Sequence, residues 1–180
     1  MTRIFLTGFM GAGKTTLGRA MAKADNLEFI DLDQYIEGRY MKTVSQIFAQ
    51  MGESKFREIE SRLLREVGEF DNVIIATGGS TPLIGDNMDY MLQQGQTVYL
   101  KCTHETLSRR LKEARSNRPL IAAMDDAALD RYIDSETARR EPGYLRCQYI
   151  CPGDRLESRS QISDTIEYLN RLLDLNNKEQ

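Results

Sequence analysis

The stretch "GFMGAGKTT", residues 8–16, follows the short apolar run "RIFLT" and precedes a helical pattern. It fits the phosphate-loop pattern in full: Gly8, four further residues, then Gly13, Lys14 and Thr15. Glycines let main-chain N–H groups turn inward around phosphate oxygens, and the following helix adds its positive end. The lysine reaches the β- and γ-phosphates, and the hydroxyl suits Mg²⁺. Because a simple glycine-rich helix cap needs neither group at a fixed offset, we predict binding of ATP or GTP with Mg²⁺.

The apolar runs of the chain predict an α/β fold. Five short runs read as strands, at residues 3–8, 27–33, 72–78, 97–101 and 147–151, and helical patterns cover 14–24, 54–70, 104–114, 125–144 and 160–175. The strands are continuous rather than alternating, as expected for strands buried on both faces. Their alternation with helices predicts a three-layer sandwich around a mostly parallel sheet, with ligands at the carboxyl ends of the strands.

Composition limits the classes of partner. The 180 residues suffice for one domain, which we place at 1–175, with a polar tail at 176–180. A net charge of −3 gives no overall positive field for nucleic acid or a membrane surface. The chain has no apolar run of membrane-spanning length and no signal-peptide pattern, so we expect it in the cytosol. We also expect a monomer.

Three cysteines and one histidine carry little functional signal. Cys147 and Cys151 could form half of a metal site, but no second pair or histidine lies near them in sequence. We favour small thiols on a buried strand, with Cys102 completing an odd count. His104, at a strand-to-helix junction where Thr103 can cap the helix, is expected at the surface.

Two groups of charged residues follow the phosphate loop. Asp31 and Asp33 lie two apart at the end of a predicted strand, so a regular strand would point both carboxylates to one face. One could hold metal-bound water and the other orient an acceptor hydroxyl, although turn-forming aspartates are the alternative. Arg57 and Glu60 lie three apart on one helix, where the glutamate could lock the guanidinium for a carboxylate. Taken alone, that pair equally fits a solvated surface ion pair.

Three further features lie near predicted element ends. Gly78 and Gly79 end the third strand, where something can approach the backbone or the chain can simply turn. Arg118 lies on an irregular stretch that could close over phosphates, although a solvated arginine after a helix is the alternative. Arg140, just before a predicted Pro-Gly turn, could grip an anionic substrate or merely complement a helix end.

The chain resembles the shikimate kinase family over about residues 1–150. The resemblance rests on six motifs that occur in the order GFMGAGKTT, DLD, FREIE, TGG, RPLI and RREPGY. The resemblance implies a five-stranded parallel sheet in the order 2-3-1-4-5. It implies transfer of a phosphoryl group from ATP to the 3-hydroxyl of shikimate, with Mg²⁺ and no nucleic-acid or membrane partner. A mobile substrate-binding region would span about residues 34–62, and a lid about 112–125.

The resemblance also implies roles for single residues. The nucleotide side would comprise Gly11, Ala12, Gly13, Lys14, Thr15, Thr16, Arg110, Arg118 and Arg155, with Lys14 and Arg118 also catalytic. Thr15, and Asp31 through water, would hold Mg²⁺. Asp33 would act as base and bind shikimate together with Arg57, Gly78, Gly79 and Arg140, while Glu60 would orient Arg57. The chain departs from the family at Ser80, where a third glycine is usual. Pro152 and Arg155 are candidates for the adenine side.

Two other readings remain open at this stage. A related kinase could use another acceptor, such as gluconate or a nucleoside monophosphate, because paired arginines also suit a phosphate. A regulatory module could bind ATP without acting on a small acceptor. Such a module would not need Asp33, Arg57, Gly79 and Arg140.

Overall fold

The sheet has the predicted topology. The computed structural model describes residues 1–175, so the predicted tail at 176–180 lies outside the described residues. Five parallel strands occur in the order β2-β3-β1-β4-β5. Their bounds are β1 Arg3–Thr7, β2 Glu28–Asp31, β3 Val73–Ala76, β4 Gln96–Lys101 and β5 Tyr149–Pro152. Both the α/β class and the strand order are confirmed.

Helices cover both faces of this sheet. Within residues 1–175 they are α1 Lys14–Ala24, α2 Leu32–Tyr40, α3 Val44–Gly68, α4 Asn87–Gln94, α5 His104–Glu113, α6 Asp126–Tyr144 and α7 Arg159–Leu172. Short 3₁₀ turns lie at Thr81–Leu83 and Arg115–Asn117. The sequence patterns missed α2 and α4 and began α3 ten residues late. In residues 1–175, no helix has the length and apolar character needed to cross a bilayer.

The apolar core has two parts, one on each side of the sheet. Successive residues of β1 point alternately into them, with Ile4 and Leu6 in one part and Phe5 in the other. Helices α1, α5, α6 and α7 pack on the first face, whereas α2, α3 and α4 pack on the second. Burial on both faces explains why the strand sequences are continuously apolar.

The end of β2 differs from the prediction. The strand was expected to run to residue 33, but it ends at Asp31, and Asp33 lies in the first turn of α2. Asp31 caps this helix, since its Oδ1 accepts a hydrogen bond of 3.4 Å from the Gln34 N–H. The expected side-by-side projection of two strand carboxylates was therefore wrong. One aspartate is a helix cap and the other a helical residue.

The predicted Pro-Gly turn after Arg140 was also wrong, because α6 continues through Pro142 and Gly143 to Tyr144. Packing accounts for this continuation. Tyr144 is fully buried, and a Cβ on Gly143 would lie 2.1 Å from a Leu83 methyl carbon, so the helix is pressed against the 3₁₀ turn there. Tertiary contacts thus override the local tendency of the dipeptide to turn.

The thiols and the histidine lie outside the phosphate-loop cavity described below. Cys151 is fully buried on β5, and Cys147 is buried just before that strand, with its Sγ 3.2 Å from the Thr7 hydroxyl. His104 begins α5 and is exposed, with Nδ1 2.6 Å from Asp134 Oδ1. Thr103 caps α5 as predicted.

Candidate active site

A cavity of about 550 Å³ opens at the carboxyl end of the sheet. It lies where β1 passes into the phosphate loop, between the ends of β2 and β3 and the start of the segment before α7. Its lining residues are Met10, Gly11, Gly13, Lys14, Thr15, Thr16, Asp31, Asp33, Gln34, Thr77, Gly78, Gly79, Arg110, Ala114, Arg118, Leu156 and Glu157. Most of the predicted site residues are therefore brought to one place.

Glycines are required in the phosphate loop for conformation and for space. Gly8 and Gly13 have φ of 137° and 99°, a region that L side chains rarely adopt. A Cβ on Gly8 would also lie 2.7 Å from the Leu100 carbonyl oxygen, and one on Gly13 would lie 2.6 Å from a Leu156 methyl carbon. The loop thus packs tightly against β4 and the segment before α7. Gly13, at the cavity wall, is the N-cap residue of α1.

Lys14 is folded back on its own loop. Its ammonium donates hydrogen bonds of 2.8 Å to the Gly8 carbonyl and 3.0 Å to the Phe9 carbonyl. Burial lowers the pKa of Lys14 to about 8, against the opposing attraction of Asp33. The group thus remains mostly protonated at neutral pH, as a positive charge at the floor of the cavity.

Thr15 and Asp31 form a pair of oxygen donors beside Lys14. The Thr15 hydroxyl donates a 2.7 Å hydrogen bond to Asp31 Oδ2. Hydroxyl and carboxylate oxygens suit Mg²⁺, which usually takes few protein ligands and completes its shell with water and phosphate. The described part of the chain contains no group of three or more histidine, cysteine or acidic side chains that is arranged to hold a metal ion. The chemistry of the Thr15 hydroxyl and the Asp31 carboxylate fits the binding of Mg²⁺.

Asp33 is an acidic group of the cavity whose carboxyl is made harder to ionise by its surroundings. Burial, followed by the negative charges of Asp31 and Glu60, raises the pKa of its carboxyl to about 6. Its Oδ1 lies 3.2 Å from the point that a Cβ on Gly78 would occupy. The missing side chain at Gly78 therefore lets this carboxylate approach the turn after β3.

Arg57 is held by a buried network rather than by a surface ion pair. Glu60 is 1% exposed, and its Oε2 accepts a 2.9 Å hydrogen bond from Arg57 Nη1. The other carboxylate oxygen accepts a 2.6 Å hydrogen bond from the Thr81 hydroxyl. The guanidinium lies over the rings of Phe48 and Phe56, at 5.5 and 5.3 Å. The solvated-pair alternative was therefore wrong, and Thr81 and Phe48 are positioning residues that the sequence motifs did not indicate.

Arg140 lies against the phosphate loop. It is 7% exposed, and its guanidinium lies 5.3 Å from the centroid of the Phe9 ring. Nε and Nη2 donate hydrogen bonds of 2.9 and 2.6 Å to Glu136 Oε2. A Cβ on Gly79 would lie 3.3 Å from Arg140 Nη1 and 3.6 Å from the Gly8 carbonyl oxygen. Gly79 thus allows the arginine, the turn after β3 and the phosphate loop to meet.

Glu60 and Arg140 approach neighbouring glycines. Glu60, which holds Arg57, has its Oε1 3.1 Å from the Cβ point of Gly78, and Arg140 faces Gly79. The Tyr144 hydroxyl donates to the Gly79 carbonyl and fixes this turn. Arg140 and the carboxylate that holds Arg57 therefore lie beside the turn after β3, although neither arginine is among the residues that line the cavity.

The three remaining predicted arginines have different environments. Arg110 Nη1 donates to the Gly11 and Ala12 carbonyls, each at 3.2 Å, and its Nε donates to Glu157 at 2.9 Å. Arg118 lines the cavity, and burial lowers its pKa. Arg155 is exposed and lines a separate surface groove with Gln161 and Asp164, so the structure does not bring it into the cavity.

Comparisons with known proteins agree with this arrangement. The family model described as shikimate kinase matches residues 10–170. A shikimate kinase of Bacteroides thetaiotaomicron is 48% identical over 175 residues, which cover 97% of this chain and 100% of that protein. A 1.7 Å crystal structure of shikimate kinase from the same species has a TM-score of 0.94 at 47% identity, with 96% of this chain and 98% of that one covered.

A more distant structure has the same fold over the whole chain. Shikimate kinase from Acinetobacter baumannii, in complex with shikimate, has a TM-score of 0.84 at 30% identity, and the match covers 100% of this chain and 96% of that one. The sheet order, the phosphate-loop cavity and these likenesses lead to one conclusion. This chain is a member of the shikimate kinase family.

Proposed function

We infer that this chain transfers the γ-phosphoryl group of ATP to the 3-hydroxyl of shikimate, which yields shikimate 3-phosphate and ADP. The observation that carries this assignment is the close approach of Arg140 to Gly79 and to the phosphate loop. An arginine that binds the acceptor carboxylate would then lie beside the loop that binds the nucleotide. Family membership and curated relatives named shikimate kinase support the same reaction.

The nucleotide half of the site supplies charge and orientation. Lys14 would exchange its hydrogen bonds with the Gly8 and Phe9 carbonyls for oxygens of the β- and γ-phosphates. Arg118 would add a second positive charge, and its Nε is buried without a hydrogen-bond partner within residues 1–175. Phosphoryl transfer needs mainly positioning and neutralisation of charge, which two such cations supply.

Magnesium would be held by Thr15 directly and by Asp31 through water. When it is bound, Mg²⁺ neutralises charge on the β- and γ-phosphates and orients them. The hydrogen bond between the Thr15 hydroxyl and Asp31 keeps both donors together before the nucleotide arrives.

The acceptor half would bind shikimate through its carboxylate and its hydroxyls. Arg57 and Arg140 would donate to the carboxylate, and the Nε of Arg57 is a buried donor without a partner in the described chain. Asp33 would orient the 3-hydroxyl and take its proton as the oxygen attacks phosphorus. Its pKa of about 6 suits a base that is ionised at neutral pH and still binds a proton readily.

Two segments would move during the cycle. We propose that residues 34–62 adjust around the acceptor. This range contains the junction between α2 and α3 and a break in the helical geometry of α3 at Gly52, where φ is 78°. The lid, residues 112–125, would carry Arg118 over the phosphates. Arg115, within the lid, forms an ion pair with Asp126, the residue that follows the lid. That the chain works as a monomer in the cytosol stays a prediction from the sequence.

A coupled ADP-release assay tests the assignment. With Mg·ATP, shikimate should give rapid turnover, whereas gluconate and nucleoside monophosphates should give little. Preference for another acceptor would keep the kinase reaction but refute the substrate. Thermal stabilisation by Mg·ATP without turnover on any acceptor would instead indicate a nucleotide-binding module.

A further inference from the structure

Glu136 makes a contact that the reaction described above does not use. It lies on α6, one turn before Arg140, and its Oε2 accepts hydrogen bonds from both Nε and Nη2 of that arginine. The same carboxylate also pairs with Arg139, whose side chain is 61% exposed. The Arg140 side chain is only 8% exposed, so Glu136 neutralises a nearly buried cation.

The guanidinium of Arg140 would be poorly fixed without this carboxylate. Its other described contacts are with the Phe9 ring and the hydroxyls of Tyr132 and Tyr144. Removing one partner of a buried ion pair leaves an uncompensated charge that moves toward water where it can. Because Glu136 takes the Nε edge, the Nη1 end is left facing Gly79 and the phosphate loop.

A comparable arrangement holds the other arginine. Glu60, three residues after Arg57, takes its Nη1 from within the same helix. Each acceptor-side arginine thus has a glutamate one helical turn away, after Arg57 in α3 and before Arg140 in α6. The carboxylate of Glu136 remains charged at all working pH values, since its hydrogen bonds with Arg139 and Arg140 lower its pKa to about 2.

We propose that Glu136 is a positioning residue for the acceptor: it fixes the guanidinium of Arg140 so that the Nη1 end meets the substrate carboxylate. This inference rests on the proposed function. It assigns Glu136 no contact with shikimate or ATP, and its effect runs through Arg140 alone.

The test compares an acceptor with and without its carboxylate charge. Glu136→Gln should raise the KM for shikimate about tenfold, because a charge-assisted hydrogen-bond pair is lost, and Glu136→Leu should raise it at least as much. The KM for ATP and kcat should stay within about threefold. For shikimate methyl ester, which has no carboxylate charge, wild type and variant should differ by less than about twofold.

Two controls separate positioning from general damage. Glu167→Gln removes another glutamate–arginine pair four residues apart, on α7 far from the cavity, and should leave every constant unchanged. Arg139→Gln removes the exposed partner of Glu136 and should leave the KM for shikimate unchanged. Melting temperatures of all variants show whether each one folds.

Three outcomes would overturn the inference while the wild type remains active on shikimate. An unchanged KM for shikimate in both Glu136 variants would remove the role. A lowered KM would mean that Glu136 competes with the substrate for Arg140. An equal rise in the KM for shikimate and in the KM for its methyl ester would indicate damage that does not act through binding of the carboxylate. A wild type without turnover on shikimate would overturn the proposed function and this inference together.

Discussion

Replacing Asp33 with asparagine should stabilise the fold while it abolishes turnover. Burial, reinforced by Asp31 and Glu60, raises the pKa of Asp33 from 3.8 to about 6. Between these values the folded chain keeps a proton that the unfolded chain has released. Stability from the neutral carboxyl is therefore fully present below the unfolded pKa and lost as the pH rises through the folded pKa. At about 1.36 kcal/mol per pKa unit, ionisation of Asp33 costs the fold about 3 kcal/mol above pH ~6.

Asparagine has nearly the same shape and no charge to bury, so the variant escapes this cost. The attraction between Asp33 and Lys14 is already included in the pKa, because Lys14 is one of its causes. Urea denaturation from about pH 3 to about pH 8 should give equal stabilities near pH 3. The free energy of unfolding of the variant should exceed that of wild type by an amount that grows up to pH ~6 and stays constant above it. Turnover in the ADP-release assay should fall about 100-fold or more.

A variant at Asp86 provides a control with the opposite sign. Arg65 donates a hydrogen bond to this exposed carboxylate and lowers its pKa, so Asp86 contributes stability above its unfolded pKa that is lost as the pH falls. Asp86→Asn should therefore be no more stable than wild type at neutral pH. A stability difference for Asp33→Asn that is flat with pH, or that shrinks as the pH rises, would refute the reasoning about burial.

Three further substitutions probe the surrounding network. Thr81→Val removes a hydrogen bond to the buried Glu60 and should lower the free energy of unfolding by about 1–3 kcal/mol in urea titrations; an unchanged value would mean that Glu60 finds another donor. Tyr144→Phe removes the donor to the Gly79 carbonyl and should raise the KM for shikimate about threefold or more without changing that for ATP, a split that steady-state kinetics would test. Arg110→Ala frees two phosphate-loop carbonyls and should weaken nucleotide binding in calorimetry while shikimate binding is retained; equal losses for both ligands would contradict this role.

Much of the fold could be predicted because its signals are local. The glycines of the phosphate loop have backbone angles that other residues rarely adopt, and Lys14 and Thr15 follow at fixed offsets, so a short window of sequence suffices. Continuous apolar runs identified all five strands because each is buried on both faces of the sheet. The order of motifs along the chain indicated the family. The strand order came from that resemblance and not from periodicity.

Errors occurred where packing or capping outweighed local preference. Asp31 ended β2 by capping α2, which moved Asp33 from the expected strand into a helix. Pro142 and Gly143 did not make a turn, because the buried Tyr144 holds the last turn of α6 against the 3₁₀ turn at Thr81–Leu83. The cap is a local contact, which the reading of this run as one strand overlooked. The contacts of Gly143 and Tyr144 come from a distant part of the chain and cannot be seen in a short window.

The sequence by itself determined that this chain has a phosphate loop on a parallel sheet and that it contains the residues for a small acidic acceptor. Only the tertiary structure decided how those residues are held. A glutamate three or four positions from an arginine is usually a solvated pair worth a few tenths of a kcal/mol, about 0.2–0.5. The pairs at Glu60 and Glu136 instead each contain one buried or nearly buried member, Glu60 in the first and Arg140 in the second. The difference is burial, which depends on what the rest of the chain packs against a helix face and is therefore absent from the spacing of the residues themselves.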